Sequence, residues 1–127
     1  MRHTVRLHGV IVGHSDLEHA EPGLGRAWGP FRPGIGYELV QPVFRLYARA
    51  VPRGDTAPKD DAMLERYYKA RDALRLELQD ADGRAIRTSA IHILDYTVEE
   101  GSGALELDVL ISDVSYWTRR VGMNEQP

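Results

Sequence analysis

From Leu74 to Ile111 the chain alternates apolar and polar residues between strong turn signals, a pattern that forces neighbouring strands to pair antiparallel. Leu74, Leu76 and Leu78 interleave with Arg75, Glu77 and Gln79, the period of a strand with one buried face. Asp80-Ala81-Asp82-Gly83 follows. Asp tolerates left-handed backbone and Gly supplies positive φ, so the chain turns there. A second strand is expected from Arg84 to Val98. Its phase slips, with Ile86 and Thr88 on one parity and Ile91 and Ile93 on the other, so a bulge is expected near Ser89. Glu99-Glu100-Gly101-Ser102-Gly103 makes the next turn, and Leu105, Leu107, Val109 and Ile111 alternate with Glu106 and Asp108 in a last strand. Strands joined by such short connections form a meander.

Upstream the signals are mixed. Residues 3–13 alternate and read as one strand, with Gly9 at a bulge or a close backbone approach. Over 14–36, Gly23, Gly25, Gly29, Gly34 and Gly36 are interleaved with Pro22, Pro30 and Pro33. Neither helix nor strand is expected to survive that density of breakers. The same stretch carries Leu24, Trp28, Phe31 and Ile35, so it reads as a long loop packed down on the domain. Residues 37–51 read as a strand, with Val40, Phe44, Leu46 and Ala48 on one face and Pro42 marking an edge or bulge. A linker covers 52–59. Asp60 or Asp61 then caps the one helix this pattern predicts, running to about Leu74 with a Leu64, Tyr67, Tyr68, Arg71, Leu74 stripe. Residues 114–127 carry Tyr116 and Trp117 and end in a polar tail expected to fray in part.

The chain has 127 residues, 43% hydrophobic and 28% charged, enough to bury a core as a single domain spanning 1–127. The fold class expected is α+β: a twisted antiparallel sheet of about five strands, curling toward a half-open roll or barrel, with one packed helix. The chain has no Cys, which excludes disulfides, thiolate zinc sites and thiol nucleophiles. Neither a signal peptide nor a membrane span is expected, and a cytoplasmic location is the default. A net charge of −3 disfavours nucleic acid. Fourteen Arg against two Lys would suit a small anionic ligand, although codon usage in a GC-rich genome is the simpler account of the excess.

Candidate chemistry concentrates before residue 38. His14-Ser15-Asp16-Leu17-Glu18-His19 gathers imidazole and carboxylate groups, and His14, Asp16 and His19 are the candidate ligands for a divalent metal cofactor. No established ligand spacing is matched, and neighbours in an extended segment point to opposite sides. A solvated polar loop explains the cluster too. Gly23-Leu24-Gly25-Arg26-Ala27-Trp28-Gly29 approaches a dinucleotide fingerprint, but its third Gly is one place late and prolines follow. No Gly-x-Ser-x-Gly elbow is present. Arg26, Trp28, Phe31, Arg32 and Tyr37 combine the residue types that dominate recognition hot spots. They could equally anchor the loop as a plug at the open end of the sheet. Glu106 and Asp108 share one parity as a solvated stripe, and His92 and Asp95, of opposite parity, are expected on opposite faces.

Three functions fit these residues. The first is a non-catalytic module binding a protein partner or small anionic ligand through loop 22–37. The second is a small metal-dependent enzyme at the His14–His19 cluster. The third is an oligomer-forming component that pairs through strand edges or its Tyr116–Trp117 end.

Overall fold

The hairpins form as the alternation requires, but they are shared between two sheets. The computed structural model describes residues 1–54 and 58–125, with side chains through residue 120. In chain order the elements are β1 (His3–Leu7), β2 (Val10–Ser15), β3 (His19–Glu21), a 3-10 turn (Pro22–Leu24), β4 (Arg26–Pro30), β5 (Arg32–Pro33), α1 (Tyr37–Ala50), α2 (Asp61–Leu74), β6 (Glu77–Gln79), β7 (Ala85–Ile86), β8 (Thr88–Asp95), the short α3 (Thr97–Glu100), β9 (Leu105–Ile111) and α4 (Val114–Glu125). One sheet runs β5-β2-β1-β6-β7 and the other β3-β4-β9-β8. Every pair is antiparallel. The α+β class therefore holds, with the strands over two sheets, more helix than the one expected, and no closed barrel.

The C-terminal half keeps its turns but not the expected meander: the strand expected from Arg84 to Val98 is divided into β7 in the first sheet and β8 in the second, and α3 follows it. Asp60 caps α2, its carboxylate accepting from the Met63 amide at 3.0 Å, and the helix ends at Leu74 where Arg75 takes left-handed backbone (φ 54). In the 80–83 turn, the Asp80 carboxylate accepts from the Asp82 and Arg84 amides, each at 2.9 Å. The β8–β9 register shifts between Thr88 and Ala90, which leaves Ser89 as the expected bulge.

Four upstream and terminal expectations are corrected. Residues 3–13 are not one strand: His8 (φ 48) and Gly9 (φ 86) make a two-residue hairpin turn between β1 and β2. Residues 14–36 are not a loop, because β3, β4 and β5 lie within them. A Cβ on Gly29 would stand 2.7 Å from a Glu18 carboxylate oxygen and 3.1 Å from the Glu18 nitrogen. Glycine there admits a neighbouring backbone rather than breaking the strand. Pro33 sits on an edge strand, where no ladder donor is needed. Residues 37–51 form α1 instead of a strand, burying Tyr37, Val40, Phe44 and Ala48. Pro42, at the sixth helical position, is exposed, so the carbonyl it fails to satisfy faces water. Residues 114–125 form α4 rather than a frayed tail. The Asp113 carboxylate caps it, accepting from the Ser115 amide at 3.1 Å and hydroxyl at 2.6 Å. Of the expected 52–59 linker, residues 55–57 lie outside the described residues, as do 126–127 of the tail.

One apolar cluster joins the inner faces of both sheets: Val5, Val12 and Leu78 from the first, Ala27, Ile93 and Leu107 from the second. α1 packs along β8 and reaches β2, and α2 packs on α1, with the Phe44 and Tyr67 rings edge to face at 6.1 Å. Asp95, fully buried at the end of β8, is the polar pin of this interface. It accepts from the Tyr37 hydroxyl (2.5 Å), Gln41 Nε2 (3.2 Å) and the Thr97 hydroxyl (2.6 Å). Burial pushes its carboxyl up, but the bonds from Thr97, Tyr37 and Gln41 outweigh this and hold it below the ordinary carboxylate range. Among the described residues no helix is long and apolar enough to cross a membrane.

Candidate functional site

Strand parity sends Ala27, Leu107, Val109, Ile91 and Ile93 inward, and the alternate residues of the same strands onto an outer face. Helices touch this sheet chiefly along β8, so most of that face is uncovered. Cross-strand register assembles a row across it: His19 opposes Trp28, Trp28 opposes Asp108, and Asp108 opposes His92. Flanking rows hold Glu21, Arg26, Leu110 and Ala90 on one side and Pro30, Glu106 and Leu94 on the other. Neighbouring strands are about 5 Å apart, close enough for paired side chains to touch.

The row is bound together by its own chemistry. Arg26 grips Asp108 with two nitrogens, Nε at 3.0 Å and Nη2 at 2.8 Å, and its guanidinium carbon lies 4.2 Å from the Trp28 ring centroid. The hydrogen bond to Asp108 keeps that guanidinium firmly charged. His19 stacks beside Trp28 with centroids 5.5 Å apart. Trp28 is half-buried, a large apolar body held in a fixed pose on an open sheet face.

At the other end of the row stands His92. Its ring lies 4.4 Å from that of Tyr47 and 5.3 Å from that of Tyr67, and the Tyr67 hydroxyl is hydrogen-bonded to Nδ1. Burial drives the His92 pKa down to about 4 against the pull of Asp108, and it pushes Tyr67 up. At neutral pH the phenol is therefore the donor, Nδ1 the acceptor, and Nε2 carries the imidazole proton. His92 is thus a hydrogen-bonded strand histidine, and Asp95 faces inward, opposite to it, as the parity argument required.

Two hollows flank the row. One, of 490 Å³, is lined by His19, Trp28, Pro30, Leu94 and Glu106, with the Arg53–Glu100 pair at its rim. The other, of 230 Å³, lies among Arg26, Tyr47, Tyr68, Arg71, His92 and Asp108. Both are open clefts suited to contact rather than enclosure.

The sequence candidates divide accordingly. Arg26 and Trp28 share the outer face, and His19, named as a metal ligand, joins them there. Phe31 (4% exposed) and Tyr37 (6% exposed) are interior, their rings edge to face at 5.7 Å; they are plugs. Arg32 stands on the edge of the other sheet, 3.6 Å from Asp16. His14 lies on that sheet's outer face, its Nδ1 3.1 Å from the Thr4 hydroxyl. His14, Asp16 and His19 thus occupy three separate places. Among the described residues no group of three His, Asp or Glu side chains is positioned to hold one ion. Nor does any serine hydroxyl there bond an imidazole. Tyr116 is buried, and Trp117 spends its indole N–H on the Ile111 carbonyl at 3.0 Å, so that end faces into its own domain. Sequence reasoning named His92, Asp108, Tyr67 and Tyr68 but assigned none of them to a site; the shared parity of Glu106 and Asp108 was the available signal for this face. The chain matches no protein-family model, no curated protein and no solved structure.

Proposed function

We propose that this protein is a non-catalytic binding module whose recognition surface is the outer face of the β3-β4-β9-β8 sheet, centred on Trp28. The observation that carries the reading is the cross-sheet row His19–Trp28–Asp108–His92, in which a half-buried Trp is braced by Arg26 on a face that the helices meet chiefly at its β8 edge. Rigid aromatic side chains with an Arg neighbour are the residue types that dominate binding energy at protein interfaces. The occupant best suited to the face is a protein partner. Its arginines are already neutralised, Arg26 by Asp108 and Arg53 by Glu100, which weakens the case for a small anion. Exposed Pro30 and Leu110 extend the apolar contact around Trp28. A cysteine-free chain suits a reducing compartment, and we place the module in the cytoplasm.

Selection of a random peptide library against the folded protein tests this. Selected peptides are expected to lose about 30-fold in affinity or more against Trp28→Ala, as a hot-spot truncation does, while Arg49→Ala, exposed on α1, leaves binding unchanged. Peptides that bind folded Trp28→Ala as well as the parent would overturn the reading.

A further inference from the structure

A third cavity, of 310 Å³, lies away from this face, between the start of β1, the β2–β3 turn, the β6–β7 turn and α4. That volume is at the small end of the roughly 300–1,000 Å³ typical of small-molecule sites. Its floor is a chain of polar groups, His3 and Tyr116 buried and Arg120 half-buried, whose proton directions are fixed. Arg120 can only donate, and its Nη1 reaches the Tyr116 hydroxyl oxygen at 2.8 Å. The Tyr116 proton then points to His3 Nε2 at 3.1 Å, and His3 Nδ1 donates to the Met1 carbonyl at 3.0 Å. Burial lowers the His3 pKa, with Arg120 and the terminal amine acting in the same direction, so the ring is neutral. Arg120 Nη2 also holds the Leu17 carbonyl at 2.6 Å. Leu17 is fully buried with φ 45, a conformation that costs a non-glycine residue about 1–2 kcal/mol. The wall is built and braced.

The charges around it are arranged unlike those elsewhere. Every arginine lining the other two hollows is ion-paired: Arg26 with Asp108, Arg53 with Glu100, Arg71 with Asp72. Here Arg84, Arg119 and Arg120 line one cavity with Glu18 and Asp82, and among the described residues no ion pair forms between the two sets. The remaining acids of the lining are engaged, Asp16 by Arg32 and Asp80 by the amides of its own turn. Charges of both signs that line one small cavity without pairing to each other are complementary to a molecule carrying both. We propose that this cavity binds a small zwitterion the size of a free amino acid, its carboxylate toward the arginines and its ammonium group toward Glu18 and Asp82.

Calorimetric titration of the purified chain with glycine, leucine, phenylalanine and glutamate tests the proposal. At least one is expected to bind one to one, and blocking either charge, as the N-acetyl derivative or the carboxamide, should weaken it about tenfold or more. The variant Arg84→Gln/Arg119→Gln should discriminate the free acid from the carboxamide several-fold less than the parent does, because two of the three arginines that distinguish them are gone; this ratio does not move if the variant merely loosens the fold. No binding by any of the four at about 10 mM, or equal binding of parent and both blocked forms, would overturn it.

Discussion

Acid should begin to destabilise this protein through His92, in a pH window separate from that of its carboxylates. The groups facing the ring are Tyr67 and Arg71 from α2, Tyr47 from α1 and Asp108 from β9. Asp108 favours the imidazolium; burial and Arg71 oppose it and win, setting the folded pKa at about 4 against 6.5 in the unfolded chain. Because the folded value is the lower one, the neutral ring is the form the fold prefers. Its contribution is complete above about pH 6.5 and is lost progressively as pH falls toward about 4. Each pKa unit corresponds to about 1.4 kcal/mol, so the loss approaches about 3 kcal/mol, a large share of the roughly 5–15 kcal/mol that stabilises a domain. Asp95 and Asp113, held below their ordinary 3.8, and Glu99, held below 4.5, lose their contributions only at more acid pH. Urea unfolding from about pH 7 to about pH 4, on the parent and on His92→Gln, isolates the term. The amide oxygen of the variant can still accept the Tyr67 proton, and the smaller His3 effect, of the same sign, cancels between the two chains. The stability gap between parent and variant should close by about 2–3 kcal/mol on acidification. Parallel profiles would refute the assignment of His92 as a buried neutral group.

Three further outcomes follow from the packing. Phe31→Ala should cost about 3–5 kcal/mol in chemical denaturation, as a buried Phe truncation does, whereas Trp28→Ala on the outer face should cost less than half as much; equal losses would put Trp28 in the core. Tyr37→Phe removes one donor from buried Asp95 and should cost about 1–3 kcal/mol at neutral pH by the same measurement, and no loss would mean that the remaining donors suffice. Gly13→Ala places a Cβ 2.3 Å from the Phe31 ring and 2.5 Å from the Arg32 carbonyl oxygen. It should lower the midpoint of thermal unfolding by several degrees, equivalent to about 1–3 kcal/mol, while Gly103→Ala, with nothing within 4 Å, serves as the neutral control.

What the sequence disclosed was local. The Asp60 cap, the Asp80–Gly83 turn and the Ser89 slip each depend on a few adjacent residues, and each formed as expected. What it hid was set by distant partners or by ambiguous spacing. Val40, Phe44 and Ala48 lie four apart, which satisfies a strand's period of two and places them along one helical face equally well. Tyr37, three residues before Val40 and of opposite parity, fits only the helix, and the docking of α1 on β8 decides it. Gly29 signalled a break, yet it sits in a strand because the Glu18 backbone comes within reach of its α-carbon. The Asp113 cap of α4 went unread because the stripe behind it was too short to stand out.

The outer face was half legible for a related reason. The density of Arg and aromatic residues over 26–37 singled out a segment, but density carries no direction. Arg26 and Trp28 share a parity and face out. After Pro30 the chain bends inward, the Phe31 amide bonds the Leu105 carbonyl at 3.0 Å, and Phe31 and Tyr37 go to the core. The rest of the row depends on register. A turn over 99–103 would pair residue 98 with 104, and would therefore set His92 opposite Leu110. Instead α3 occupies 97–100 and the ladder closes at Asp95–Leu105, which moves each partner by two positions. That shift keeps every residue on its own face, so it was invisible to the alternation, yet it is what brings His92 opposite Asp108 and completes the line from His19 to Tyr67.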